Sequence, residues 1–132
     1  MSAYTVDLDW LKRVMEDIID PGQRIIDPHH HLWPKTVAGS SNVRRQRLYN
    51  YMLEDFWEDT GSGHNVTDSV YIECSEFFWN SENENLNPVG ETEFIKGLAQ
   101  LSLENSKKTT ISGIIGHANM LLGKDVDEVL ER

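Results

Sequence analysis

Three short runs of β-branched and apolar residues, each followed by a helical pattern, constrain the fold of this chain more than any other feature. They lie at 24–28 around Ile25-Ile26, at 69–74 in Ser-Val-Tyr-Ile-Glu-Cys, and at 111–116. Apolar residues recur at helical spacing before the first run, through Leu8, Leu11, Met15, Ile18 and Ile19. They recur again at 49–59 through Tyr49, Leu53, Phe56 and Trp57, and at 91–104 through Phe94, Ile95, Leu98 and Leu101. A last helix is expected from Asp125 to the end of the sequence. Pro21-Gly22 and Gly61-Ser62-Gly63 stop the first two helices, since proline lacks an amide donor and glycine tolerates turn conformations. Strands alternating with helices in this way point to an α/β layout with a parallel sheet. Residues 34–47 and 75–90 read as long polar loops, and loops of that length are often functional.

Three strands make too small a parallel sheet for the available helices to cover its faces and edges. The sequence therefore reads as the front portion of something longer: a leading helix over 1–22, then three βα units over 24–132. The 132 residues include one cysteine, which excludes an internal disulfide framework, and no run of apolar residues is long enough for a spanning helix. Acidic residues Asp7, Asp9, Glu16 and Asp17 near the start do not suit a secretory signal, so a cytoplasmic location is expected. The net charge is −10, with most of the excess acid in 54–104, where Lys96 is the one base. Nucleic-acid binding by counterion release needs clustered lysine and arginine, and the one cluster is Arg44, Arg45 and Arg47. Neither a nucleic acid nor a membrane is an expected partner.

The residues most suggestive of chemistry are His29, His30 and His31, directly after the first strand and preceded by Asp27. Strand alternation puts Asp27, His29 and His31 on one side and His30 on the other. Functional groups in parallel α/β folds gather at the C-terminal ends of strands, where this cluster falls. Two imidazoles at i and i+2 can offer two nitrogens to one divalent metal, with Asp27 as an orienting partner. His29 and His31 are thus both the candidate catalytic pair and the candidate metal ligands.

The segment Ile25-Ile26-Asp27-Pro28-His29-His30-His31-Leu32-Trp33 resembles the D-x-H-x-H first-strand motif of the amidohydrolase superfamily. It is most similar to the amidohydrolase-related branch, which includes lactonases acting on sugar lactones and pyrone dicarboxylate. Further stretches resemble that branch in order along the chain: 59–66, Tyr71-Ile72-Glu73-Cys74, 89–94 and 113–119. The resemblance implies a (β/α)8 TIM barrel with the histidine pair at its catalytic mouth, of which this chain would hold about three of eight units. Later strands of such a barrel supply further histidines and an aspartate that acts on water, so 132 residues alone are expected to be inactive. The implied activity is attack of water on the polarised carbonyl of a lactone or a similar small cyclic ester. The implied cofactor is a divalent ion, zinc or manganese first. The alternative is a metal-free site in which His29 and His31 donate hydrogen bonds to the carbonyl. A metal-dependent decarboxylase of an aromatic or muconic acid is the alternative within the superfamily, and a truncated, catalytically incompetent product is the alternative outside it.

Other positions carry expectations of their own. Arg44, with Arg45 and Arg47 beside it, would favour a carboxylated small-molecule substrate. Glu73 ends the second strand and His117 the third, and both read as substrate contacts or as satisfied structural groups. Trp33 reads as a pocket wall or as core. His64 falls at the opposite, stabilising end of the sheet, Cys74 reads as inert, and Met120-Leu121-Leu122 reads as packing. A homo-oligomer of the full-length protein is also considered.

Overall fold

A computed structural model of the chain describes residues 8–35 and 50–132. It divides into two compact units, Met1–Gln23 with Leu32–Asn65, and Arg24–His31 with Val66–Arg132.

The second unit holds a three-stranded sheet in the order β1 (Arg24–His30), β2 (Asn65–Ile72), β3 (Thr110–Ile115). β2 and β3 run parallel. β1 runs the same way: Arg24 at its start bonds Thr67 and Asp68 near the start of β2, while His30 and His31 at its end bond Val70 and Ile72. The α/β class and parallel sheet expected from the alternation are therefore present. Ser69 pairs with Ile111 and Val70 with Gly113, so Ser112 bulges from the ladder, and its hydroxyl donates to Asp68 at 2.7 Å. Arg24 reaches the other carboxylate oxygen of Asp68 at 2.6 Å, and the three strands are cross-linked on that one carboxylate.

The long helix α3 (Val89–Glu104) packs on β3 and starts two residues before the apolar pattern suggested. Ile95 is fully buried, and so are Ser69 and Tyr71 of β2, with Ile111 of β3 nearly so. The Ser102 hydroxyl, also fully buried, accepts the amide of Ile111 at 3.0 Å and ties the end of α3 to β3. The apolar pair Ile25-Ile26 does not make the first strand a buried one. β1 is an edge strand, and Ile26 remains 55% exposed. After β3, Gly123 breaks a 3-10 turn over Met120–Val126, leaving a four-residue α4 (Asp127–Leu130) in place of the helix expected from Asp125. The Asn119 side chain caps the turn by accepting from the Leu121 amide. Met120 and Leu121 are exposed, against the packing role expected of them.

The first unit departs further from its pattern. The leading helix is cut to α1 (Leu8–Leu11) and a 3-10 turn over Lys12–Val14, and the chain from Met15 to Asp20 is not helical. Short helices depend on packing of their apolar face, and here Trp10, Val14, Met15 and Ile19 are all exposed. The second helix, α2 (Leu53–Thr60), begins later than expected because Tyr51 is held in an antiparallel bridge to Trp33. Asp55 caps α2 by accepting the Met52 amide at 2.8 Å, and Leu53 and Phe56 are its buried residues.

Candidate functional site

The side chains of His29 and His31 meet where β1 ends, as strand alternation requires. Their Nε2 atoms lie 3.1 Å apart and the rings meet edge to face at 4.9 Å. The Nδ1–H of His31 donates to the carbonyl of Ile72 at 2.8 Å. A carbonyl can only accept, so Nδ1 carries the proton and neutral His31 presents a lone pair at Nε2. Two ligands at about 2.0–2.1 Å from one divalent ion, subtending 90–109°, stand about 2.8–3.4 Å apart. The observed separation lies within that range. In the neutral pair without an ion, the His29 Nε2–H is directed at His31, and no ring N–H is left over for a substrate oxygen.

Asp27 is close by but acts differently from expectation. Its carboxylate accepts the backbone amide of His29 at 3.0 Å and so fixes the strand end, while Ile72 orients the imidazole of His31. His30 is turned into the protein, 7% exposed, with Nδ1–H donating to Val70 and its ring against Tyr71. Burial pushes its pKa down to about 4, partly opposed by Asp27 and by the Val70 hydrogen bond, so it is a neutral packing residue at pH 7. Among the described residues, no group of three or more His, Cys, Asp or Glu side chains is arranged to hold a metal. His29 and His31 are thus two converging ligands whose set is not completed within the described residues.

The remaining predicted positions are dispersed. Glu73 follows the last residue of β2, half-buried, and its amide donates to Ile115. His117 lies two residues beyond β3, is exposed, and lines a cavity of about 230 Å³ with Val89, Thr92 and Arg132, on the side of α3 and α4. Trp33 belongs to the first unit, where it exchanges two backbone hydrogen bonds with Tyr51 and packs on its ring at 5.9 Å. Arg44, Arg45 and Arg47 lie outside the described residues. His64 is exposed immediately before β2.

Sequence reasoning missed Glu91. This carboxylate is 2% exposed in the first turn of α3 and gathers donors from the end of β2 and the loop after it. Oε1 accepts from the Tyr71 hydroxyl at 2.8 Å and from the amides of Cys74 at 2.9 Å and Glu76 at 3.3 Å, while Oε2 accepts the Ser75 amide at 3.2 Å. Successive amides turned inward make a local anion nest, here filled by the chain's own carboxylate. The loop takes two non-glycine left-handed residues, Ser75 (φ 62°) and Phe77 (φ 56°), which the nest and Gly90 beneath it hold in place. Burial first, then the neighbouring Cys74 thiol and Glu91 carboxylate, drives the Tyr71 pKa well above its ordinary value. Burial, opposed by the Tyr71 hydroxyl but reinforced by the Glu91 carboxylate beside it, pushes the Cys74 thiol up to about 11, which makes it a poor nucleophile. The signal in sequence was faint: Glu91 reads there as an acid favourable to a helix start.

Comparison of the chain with protein-family models, curated proteins and solved structures finds no match.

Proposed function

We propose that His29 and His31 are the histidine pair of a hydrolytic site in which water attacks the polarised carbonyl of a lactone or a similar small cyclic ester. The site would work as part of a longer, amidohydrolase-like chain built on a TIM barrel. The observation that carries this reading is the convergence of the two Nε2 atoms at 3.1 Å at the C-terminal end of a parallel strand, with His31 held by Ile72. The motif resemblance supplies the reaction class.

A divalent ion bound there supplies Lewis-acid polarisation of a carbonyl and lowers the pKa of bound water. Zinc suits imidazole nitrogen, and manganese becomes the better fit if oxygen ligands complete the set. The chain's own contribution is to present two nitrogens: Ile72 fixes the tautomer of His31, and Asp27 fixes the backbone of His29. The neutral pair spends its N–H groups internally, which favours the ion-binding reading over direct donation to substrate. Glu73 and His117, in the same unit as the pair, remain proposed contacts for a carboxylated small molecule.

The test combines zinc and manganese titration with two assays, proton release from a panel of lactones and carbon dioxide release from aromatic and muconic acids. Metal binding and lactone opening, both abolished in His31→Asn, are expected of the longer protein containing this chain. Carbon dioxide release in their place selects the decarboxylase. Absence of metal binding and of both activities refutes the reading.

A further inference from the structure

We infer that Glu91 is the positioning residue for His31, an inference that rests on the metal-binding reading of the histidine pair. Glu91 touches neither imidazole. It holds Tyr71 through the phenol and Cys74 through the backbone amide, and these two residues bracket Ile72 and Glu73. The Ile72 carbonyl between those two anchors is the group that accepts the His31 Nδ1–H at 2.8 Å. The Tyr71 ring, held from its hydroxyl end, also stands edge-on to His31 at 6.4 Å. One buried carboxylate therefore pins both sides of the peptide that sets the tautomer and direction of the proposed ligand. The Glu73 amide, bonded to Ile115, extends the same clamp to β3.

A carboxylate suits this task because all its oxygen sites accept. It meets the three amides and the phenol without offering a proton to any of them. Glutamine has the same shape but turns an amide nitrogen towards one of the donors, so Glu91→Gln loosens the bracket while leaving the volume of the site unchanged. Groups that orient metal-binding histidines are worth roughly 10- to 100-fold in metal affinity. Glu91 acts one step further out, so a loss of roughly 10-fold in zinc affinity is expected.

The experiment is calorimetric zinc titration of the longer protein containing this chain, wild type against Glu91→Gln. His31→Asn identifies the site, and long-range proton–nitrogen NMR reads which nitrogen of His31 is protonated. The expected result is a folded Glu91→Gln protein with roughly 10-fold weaker binding at the His31-dependent site. A rise in the Nε2–H tautomer of His31 should accompany it, which a merely structural role for Glu91 would not produce. A folded Glu91→Gln protein with unchanged tautomer and wild-type affinity overturns the inference. If Glu91→Gln does not fold, Tyr71→Phe removes one anchor alone and should shift the tautomer in the same direction; no shift overturns the inference. Wild-type protein that fails to bind zinc refutes the metal reading, while the tautomer comparison still decides whether Glu91 orients His31.

Discussion

Gly90 and Gly97 lie on the same helix and should respond to alanine with opposite signs. A Cβ at Gly90 would meet the Trp79 indole, the Trp79 amide nitrogen at 2.6 Å and the Phe77 carbonyl at 2.8 Å. Two of these contacts are backbone, so relief requires moving the loop. That loop is fixed by the Trp79 amide on Asn87 at 2.9 Å and by the nest around Glu91. Overpacking of this kind costs about 1–3 kcal/mol. Against it stands a gain of about 0.4–1 kcal/mol from a less flexible unfolded chain. Gly90→Ala should therefore be destabilised by about 1–2 kcal/mol. At Gly97 nothing lies within 4 Å of the added methyl, so only the gain remains and Gly97→Ala should be stabilised. For a chain of this size each kcal/mol shifts Tm by about 3–5 °C. The two variants should straddle the wild type by about 5–15 °C between them. Urea denaturation followed by circular dichroism, with the slope unchanged, is the assay. Equal stability of the two variants, or Gly90→Ala above wild type, would mean that the loop does not rest on Gly90 and would remove the support beneath the Glu91 nest.

Other consequences follow from the titrating groups and the strand cross-link. His30 has a folded pKa of about 4 against an ordinary 6.5, so the unfolded chain binds more protons between those values. Its contribution is complete above pH 6.5 and falls by at most about 1.4 kcal/mol per unit as pH drops towards 4. Denaturation at stepped pH should show this slope, and His30→Gln should flatten it. Cys74, raised to about 11 from 9, should be alkylated at pH 8 about a hundredfold more slowly than a free thiol, with the rate still climbing above pH 9. An iodoacetamide rate matching a model thiol would show that the loop opens readily. Asp68 is held well below the usual carboxylate range by Thr67, Arg24 and Ser112, so its stabilisation is present above pH 3.8 and lost only in stronger acid. Asp68→Asn should lower Tm at neutral pH and remove that late acid transition, as read by a pH-stepped thermal melt.

The parts legible in the sequence were those governed by local rules. The three strands fall close to where β-branched runs placed them, and alternation at His29 and His31 sufficed to bring their rings together, because period-two geometry needs no knowledge of the rest of the chain. The leading helix failed for the opposite reason. Its apolar stripe has the right spacing, but Met15 and Ile19 find nothing to pack against, and spacing alone cannot supply a partner. Glu91 shows the same limit at the site. Its neighbours in sequence are helix residues, whereas its donors come from 71 and 74–76, brought to it by a loop with two left-handed residues that no pattern announced. Asp27 was a reasonable choice of orienting group by proximity, yet a strand neighbour two residues away can reach the His29 amide more readily than the far side of a ring. The carbonyl that does orient His31 comes from β2, across the sheet. A motif can therefore name the ligating atoms while the groups that aim them lie on a neighbouring strand and helix, and substitutions there should weaken the site although they fall outside the histidine motif.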